Sequence, residues 1–555
     1  MADSDHAHAV TSAPDETTRL LTSSRVTTAT SAVTTHTVTK VPVEAETATN
    51  RLYSPDKFAE VDSISTSLIL VQESKMIVKS SVPVVLAYVL QYSFGFISLL
   101  VVGRIGPNEL AAVALANMAL VVIVFSPGIG IASALDTFCS TSFTASHDRT
   151  LVGFHLQRGI IAMTCHTLAV VPIMWYLDVL MIWFRQDAAI SILCAQFVRV
   201  QLLGALPWLF FECVKRFLQA QGVVHVSTYI LLAVLPIHLA SNYLFALSPQ
   251  MGIGFLGAAI ANVITNWLIL ASIALYTRHS EARSSWGGWT MQAFWAMPQY
   301  FRLAIPSMVM ICAEWWILDL LALAASYLGS TTLAAQSIVI NTCSLTYQIA
   351  DGLSVVVCNR VGNLIGQART RRAKLTAWLG IAFGVAVGVA TLLAALAISS
   401  WWGGIYSDDK QIIADVAAIM PPSALFQMTD AINAVGSGVL RSIGRQNLGA
   451  FINFPAYYLI GFPLGLYLTY GAPSLGVVGL WYGLCVGVGL AVIMQLLICA
   501  RTNWAFEVRR CMVRVSEDHS SLVGARKPTS DDTDGGDNDS NFSTASANSD
   551  GRDRA

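Results

Sequence analysis

Residues 306–366 read PSMVMICAEWWILDLLALAASYLGSTTLAAQSIVINTCSLTYQIADGLSVVVCNRVGNLIG, two long apolar segments joined at Gly329. The first segment carries two acids, Glu314 and Asp319, and Glu314 lies eight residues after Pro306 and fifteen before Gly329. This spacing places Glu314 near the middle of a crossing of ~20 residues. A charged side chain at that depth costs roughly 2.5–3.5 kcal/mol on insertion scales, so we expect the acids to serve a function. The alternative is that both acids lie near a segment end and reach headgroup water.

The composition of the whole chain is that of a polytopic membrane protein. It has 555 residues, of which 54% are hydrophobic and 12% charged, with a mean hydropathy of +0.58; soluble proteins carry about 25% charged residues. Repeated apolar runs predict an all-α fold of twelve membrane-spanning helices. Their predicted limits are 79–102, 110–134, 156–182, 191–213, 225–247, 254–277, 302–327, 333–357, 374–400, 412–437, 447–470 and 476–500.

Polar stretches flank and divide these spans. Residues 1–75 are rich in Ser, Thr and acids, and residues 501–555 end in an Asp/Ser/Gly-rich run. We predict that the first is a disordered tail and the second a largely disordered one. The start, MADSDHAHAV, has neither the basic nor the apolar region of a signal peptide. Between the tails we predict a six-helix lobe at 76–277, an inter-lobe linker at 278–300 and a second six-helix lobe at 301–500.

The distribution of Lys and Arg between the spans predicts their orientation. With both termini in the cytoplasm, the opposite side holds only Arg104, Arg185 and Lys410. The cytoplasmic connections and segment ends then hold thirteen basic residues, namely Arg149, Arg158, Lys215, Arg216, Arg278, Arg283, Arg360, Arg369, Arg371, Arg372, Lys374, Arg441 and Arg445. The sequence therefore predicts a multi-pass protein with cytoplasmic termini, and it leaves open whether the membrane is plasma or vacuolar.

The two halves of the chain repeat one another. Four pairs of segments match at offsets of 222 or 223 residues: Ser81–Pro83 with Ala304–Pro306, Ile105–Ala112 with Leu328–Ala335, Phe217–Gly222 with Val439–Gly444, and Gly254–Gly257 with Gly476–Gly479. Because each half has six spans, both halves enter the membrane from the same side. The repeats are then parallel, related by a pseudo-two-fold axis along the membrane normal, and the substrate path is expected between them near the midplane.

Several other polar residues lie within the predicted spans. Gln91 in span 1 contacts either a ligand or a neighbouring helix. Asn341 and Tyr347 in span 8 are candidate substrate contacts, and Asp430, mid-span in span 10, is a third candidate buried acid. We assign a gate or structural role to four residues near the cytoplasmic ends of spans, Asp136, Asp351, Arg360 and Arg441.

The two acids of span 7 are five residues apart, which is about 140° around a helix. Glu314 and Asp319 are therefore not expected to point at one small site unless the helix is distorted. The adjacent Trp315 and Trp316 are suited to stack on an aromatic cation; the alternative is that they are lipid-facing or core aromatics.

These motifs together resemble the multidrug and toxic compound extrusion (MATE) family, in its eukaryotic, fungal-like branch. The similarity extends over roughly residues 80–500 and rests on eight segments: Gly103–Ala112, Ser133–Thr137, Glu314–Trp316 with Asp319, Leu333–Gln336, Arg360–Asn363, Gly438–Arg441, Tyr457–Gly461 and Gly479–Leu484. The resemblance implies two six-helix lobes and cation-coupled antiport, with coupling acids in the carboxy-terminal lobe.

The resemblance carries over residue by residue, with departures. Glu314 matches the family's acid directly, Asp319 stands where Glu is usual, and Asp430 stands where animal members carry Glu. Asn341 replaces a Glu of some animal members, and Asp351 is an additional acid.

The sequence predicts a secondary antiporter that exports organic cations in exchange for protons. Burial favours the neutral form of a carboxyl group, so Glu314 would carry the proton while Asp319 and Asp430 shape an anionic cavity. Sodium coupling, or flipping of a lipid-linked solute, is the alternative within transporters. A non-transporting membrane sensor is the alternative from another class.

Other classes of protein find no support in the sequence. No Walker loop, GxSxG elbow or HExxH motif is present, which argues against an enzyme or an ATP-driven pump. The ten cysteines form no CxxC pair, so no metal site is indicated. We predict no cofactor and no nucleic-acid partner, only the solute, the coupling ion and the lipid bilayer.

Overall fold

The computed structural model describes residues 65–523 of the chain. Within them, thirteen long helices follow one another, and the first twelve form the membrane bundle. Their bounds are α1 Thr66–Val102, α2 Pro107–Ala145, α3 Thr150–Trp175, α4 Ala188–Ala220, α5 Val226–Leu247, α6 Phe255–His279, α7 Met297–Ser326, α8 Ser330–Gly366, α9 Thr370–Ile398, α10 Lys410–Ser442, α11 Gln446–Tyr470, α12 Val477–Arg501 and α13 Trp504–Val523. The twelve-helix prediction is therefore confirmed.

The described residues contain eleven helices that are apolar and long enough to cross a membrane. The remaining member of the twelve, α8, has 37 residues but contains many polar side chains, so it is less apolar than the other eleven. Its inward position in the bundle accommodates them, because α8 packs against α1, α2, α9 and α10 rather than against lipid alone. Polar groups inside a membrane bundle need such protein partners.

Both disordered tails were predicted to extend too far toward the bundle. The tail at 1–75 was wrong from residue 66 onward, because α1 starts there with the Ser65 hydroxyl accepting from the Leu68 amide at 3.4 Å. At the other end, α13 forms in the stretch expected to be largely disordered. Its Trp504, Val508 and Cys511 are buried, and this apolar face supplies the packing energy that a short surface helix lacks alone. Residues 1–64 and 524–555 lie outside the described part.

The backbone repeats in the two lobes, as the sequence offsets predict. Gly254 and Gly476, which cap α6 and α12, have φ values of 71° and 60°. Gly222 and Gly444, which end the turns after α4 and α10, have φ values of 84° and 71°. These left-handed conformations strain residues that carry a Cβ, so the same glycines recur because the same turns recur.

The lobes meet along a seam formed mainly by α1 and α2 of the first lobe with α7 and α8 of the second. Gly352 of α8 lets this helix approach α1, since a Cβ there would lie 2.8 Å from a Val85 methyl. One buried hydrophobic cluster includes core residues of the first lobe together with residues from 353 to 381 and from 435 to 443 of the second lobe. A separate cluster fills the other half of the second lobe.

We call the face of the bundle at which α1 begins and α12 ends the termini side. Arg371 of the second lobe donates to the Thr66 hydroxyl there at 2.7 Å, and α13 packs on helices of both lobes. The linker predicted at 278–300 is shorter in the structure, where residues 280–296 connect α6 to α7 on this side. Thr290 donates its amide to the Gln157 side chain at 2.9 Å, which ties the linker to α3. The two lobes are therefore in close contact at the termini side.

Candidate functional site

A cavity of about 240 Å³ lies mostly within the second lobe, against the seam. All three predicted coupling acids line it: Glu314 and Asp319 from α7, and Asp430 from α10. Tyr92 and Val121 are its contributions from the first lobe. The remaining lining residues are Trp315, Leu318, Ile340, Cys343, Ser344, Thr346, Tyr347, Gln348, Ala350, Val387, Thr391, Phe426, Gln427 and Ala431. The wall thus combines carboxyl groups, aromatic rings and aliphatic side chains.

Glu314 and Asp430 are held by phenols. The Tyr347 hydroxyl donates to Glu314 Oε1 at 2.8 Å, and the Tyr457 hydroxyl donates to Asp430 Oδ1 at 3.4 Å. The two acids are 8% and 6% exposed and lie close enough to interact electrostatically. Among the described residues, no Lys, Arg or His forms an ion pair with either of them. Neither acid is therefore neutralised by a permanent cation.

Asp319 lines the same cavity as Glu314, contrary to the expectation from their angular separation. The cavity is broad enough to border a wide face of α7, which runs from Glu314 through Trp315 and Leu318 to Asp319. Asp319 is half-buried, and no hydrogen bond or ion pair to its carboxylate is found in the part of the chain that the structure describes.

Two of the five predicted substrate contacts, Trp315 and Tyr347, line the cavity. The other three do not. Trp316 is 38% exposed and donates to the Ser126 hydroxyl at 2.9 Å. Asn341 is exposed and accepts from the Tyr92 hydroxyl at 3.5 Å, which places it beside a lining residue.

Gln91, the third of these, lies in a hydrogen-bond network of α1 and α4. Its side-chain oxygen accepts from Lys215 at 2.8 Å, and its nitrogen donates to Glu212 at 2.8 Å. The contact between neighbouring helices, one of the two predicted alternatives for Gln91, is the one present in the structure.

Six ionisable residues lie between the cavity and the termini side, and we call them the seam cluster: Asp136, Glu212, Lys215, Arg216, Asp351 and Arg441. Glu212 forms ion pairs with Lys215 Nζ at 2.6 Å and with Arg216. Arg216 Nε lies 3.5 Å from Asp136 Oδ2. With three acids and three bases, the cluster is electrically balanced when all six are ionised. The ion pairs among Asp136, Glu212, Lys215 and Arg216 are what buried charges require.

The locations that we predicted from the sequence were wrong for several of these residues. Lys215 and Arg216 were counted as loop charges, but they are 1% and 2% exposed within α4. Asp136 was expected near the end of its span, but α2 continues to Ala145 and Asp136 is fully buried. Glu212 was missed, although its spacing of three and four residues from Lys215 and Arg216 is that of helical ion pairs.

Arg360 and Arg441, assigned to a gate or structural role, both join the lobes. Arg360 contacts Glu73 of α1 through two bonds of 2.7 Å, and Arg372 of α9 shares that carboxylate at 2.5 Å. The carbonyl of Arg441 accepts from the Thr137 hydroxyl of α2 at 2.6 Å. Glu73 was not predicted, because it lies in the stretch assigned to the tail.

Comparison with known proteins supports the internal repeat. A family model described as MatE matches this chain twice, at residues 83–244 and 306–467. Both ends of the second match lie 223 residues after those of the first, which is the offset found in the sequence motifs.

Individual relatives cover the same region. The chain is 37% identical to an uncharacterised transporter of Schizosaccharomyces pombe over 81% of this chain and 80% of that protein. It is 31% identical to multidrug and toxin extrusion protein 1 of Oryctolagus cuniculus, over 80% of this chain and 78% of that protein. The crystal structure of the eukaryotic MATE transporter AtDTX14 superposes with a TM-score of 0.77 at 27% identity, covering 80% of this chain and all of that one.

Proposed function

Because the chain belongs to the MatE family of membrane transporters, we propose that it exports organic cations from the cytoplasm in exchange for protons. The proposal rests on one observation above all. Glu314 and Asp430 line a cavity at the seam with phenols, and no cation, as their partners among the described residues. The termini side, where the basic residues concentrate, is taken to face the cytoplasm.

The exchange follows from the charge balance around the cavity. When all six of its members are ionised, the seam cluster is neutral, so an ionised Glu314 or Asp430 then adds a negative charge that lacks a basic partner. Two such charges facing one another repel, and burial disfavours each of them. The pair therefore binds either a proton or a cationic solute, and occupation by one weakens binding of the other. Mutually exclusive binding is the minimum requirement for antiport.

The cavity wall favours amphipathic cations as solutes. The rings of Trp315, Tyr347 and Phe426 line the same cavity as the acids. An aromatic face attracts an organic cation, and the apolar body of the cation packs on the aliphatic side chains. Asp319 would lend further negative charge. Alternating access then requires the lobes to separate at the termini side, where Glu73 and its two arginines now join them.

The test uses purified protein in liposomes, with a fluorescent organic cation and an imposed pH step. We expect uptake into acid-loaded vesicles to follow the step in the wild type, and Glu314→Gln to reduce this pH-driven uptake at least tenfold. Glu281→Gln, which neutralises an exposed linker acid, serves as the matched control and should transport normally. Uptake that ignores the pH step, or that survives Glu314→Gln, would contradict the proposal.

The alternatives are separated in the same vesicles. Replacing sodium by choline at constant pH abolishes uptake only if sodium is the coupling ion, and a lipid-scrambling assay tests the flippase alternative. The sensor alternative is tested by removing residues 1–64 and 524–555, which spares the packed helix α13. A transporter keeps its flux after this deletion, whereas a sensor that signals through its tails has no flux to keep.

A further inference from the structure

A second, much smaller cavity of about 10 Å³ lies on the other side of Glu314, toward the termini side. Glu314, Trp315 and Tyr347 line both cavities, so they form the wall between them. The small cavity is otherwise lined by Ile129, Ser133, Arg216, Ile311, Asp351, Ser354, Val355, Ala434, Ser437 and Arg441. About 10–15 Å³ of such space holds one water molecule when polar partners surround it, and this lining is polar.

Two of the residues that line this space, Arg441 and Arg216, have a buried Nε that makes no hydrogen bond within the described residues. Arg441 is 5% exposed; one of its terminal nitrogens donates to the Ser354 hydroxyl at 2.9 Å, but its Nε has no partner among the described residues. Arg216 is 2% exposed, and its Nε likewise makes no hydrogen bond within them. Buried donors of this kind are normally satisfied by protein or by ordered water. The lining thus offers donors to a water molecule and two carboxyl groups that accept from it.

Ionisable groups from several of the helices packed around Asp351 lie within electrostatic range of it, including the Tyr88 phenol of α1. Arg441 comes from α10, and Arg216, Lys215 and Glu212 come from α4, all within electrostatic range. Asp136 of α2 and Glu314 of α7 complete the set, with Tyr347 one turn away on α8. No hydrogen bond or ion pair to the Asp351 carboxylate is found within residues 65–523, so its oxygens are available to the cavity.

We infer that Asp351 is a second proton acceptor, and that a water molecule in the small cavity passes the proton to it from Glu314. The inference rests on the proposed proton exchange. The Glu314 carboxylic acid gives its proton to the water oxygen, and the water gives one of its own protons to an Asp351 oxygen. One proton has then moved, the water is regenerated, and Glu314 is an anion ready for a cationic solute.

The surroundings of Asp351 determine what happens next. Burial disfavours the ionised form of Asp351, whereas the neighbouring Arg441 and Arg216 favour it, so Asp351 can both take up and release a proton, as a relay requires. Its position in the seam means that the proton leaves toward the termini side when the lobes separate there. The route of the proton beyond Glu314 is thereby kept apart from the large cavity that takes the solute.

The experiment compares two kinds of flux in vesicles for the wild type, Asp351→Asn and Asp351→Glu. Exchange of labelled for unlabelled solute at equal pH needs no proton transfer, whereas uptake driven by a pH step does. We expect Asp351→Asn to lower pH-driven uptake at least tenfold while solute–solute exchange stays within twofold. Asp351→Glu, which keeps a carboxyl group at the cavity, should restore most of the pH-driven uptake.

Ala434→Val provides a second variant, because it fills the small cavity without changing any charge. It should show the same selective loss of pH-driven uptake, and it decides the question if Asp351→Asn does not fold. Unchanged pH-driven uptake in Asp351→Asn or Ala434→Val would overturn the inference. Equal loss of both fluxes would also overturn it, because that result indicates a structural role only.

The result is separable from the test of the proposed function. If the wild type itself does not respond to a pH step, the proton-exchange proposal fails. If the wild type responds and Asp351→Asn matches it, only the relay through Asp351 fails.

Discussion

The attachment of helix α13 to the bundle depends on a buried ion pair and can be tested directly. Asp518 of α13 lies 2.9 Å from Arg158 of α3, and the two side chains are 2% and 0% exposed. Arg158 also donates to His155 Nδ1 at 2.9 Å and lies over the ring of Phe138 at 4.7 Å. Because these other contacts hold Arg158 in place, Asp518→Asn leaves a buried cation without its counter-charge.

The expected magnitude follows from the burial of both partners. Removing one partner of a buried pair costs about 3–5 kcal/mol. The Asn side chain still accepts a hydrogen bond, so we take the lower end, about 3 kcal/mol, which is roughly 100-fold in an equilibrium at 1.4 kcal/mol per factor of ten. We therefore expect Asp518→Asn to raise the undocked fraction of α13 by roughly 100-fold.

Cys511 reports the undocking, because it lies on the packed face of α13. It is 3% exposed, and burial raises the pKa of its thiol, so a maleimide reacts with it only when the helix detaches. The assay is the rate of Cys511 modification followed by mass spectrometry of its peptide. This readout distinguishes Cys511 from the other nine cysteines.

Arg510→Ala is the matched control. Arg510 lies on the same helix, is 51% exposed and approaches Glu507 only to 3.7 Å, and exposed pairs contribute about 0–1 kcal/mol. Its Cys511 modification rate should rise less than about fivefold. The reasoning is refuted if Asp518→Asn leaves the Cys511 rate unchanged, or if Arg510→Ala accelerates it as much as Asp518→Asn does.

Three further changes have expected outcomes in purified protein. Trp481→Phe removes the indole that donates to Gln336 at 2.9 Å; it should destabilise the fold by about 1–3 kcal/mol, seen as a lower midpoint of thermal unfolding, and an unchanged midpoint contradicts this. Gly257→Ala places a Cβ against the Phe245 carbonyl. This overpacking should destabilise the fold by about 1–3 kcal/mol and so lower the yield of monodisperse protein. Wild-type yield and stability would contradict this expectation. Glu73→Ala frees two arginines at the seam and should weaken closure of the termini side by about 2 kcal/mol, measured as faster cross-linker access to cysteines introduced there; unchanged access argues against a closing role.

The coupling acids show which part of the candidate site could be predicted from the sequence. Glu314 was identifiable because a carboxyl group in the middle of an apolar segment is costly, and its cost is visible in the segment alone. That Asp319 would line the same cavity was not visible, since the helical angle between them argued against it. The width of the cavity is set by α8 and α10, whose positions no local pattern encodes.

The seam cluster, in contrast, could not be predicted from the sequence. Lys215 and Arg216 lie at the end of an apolar run, and a hydropathy pattern cannot tell a charge at the membrane surface from a charge turned inward. The pairs with Glu212 lie within α4, but the ion pair of Arg216 with Asp136 joins α4 to α2 and exists only when these helices pack together. Local periodicity gives the face of a helix, but it does not give the neighbour that the face meets.

The sequence by itself determined the membrane class, the twelve segments and the two-fold repeat, because apolar length and the recurrence of glycine turns are local properties of the chain. Only the tertiary structure decided which polar groups meet. In the structure, Glu314 lies between two cavities, and three acids lie beside three bases at the seam. Glu73 and α13, which the sequence assigned to the tails, belong to packed helices. The physical reason is that the energy of a buried charge depends on partners from distant parts of the chain, and those partners are fixed by packing.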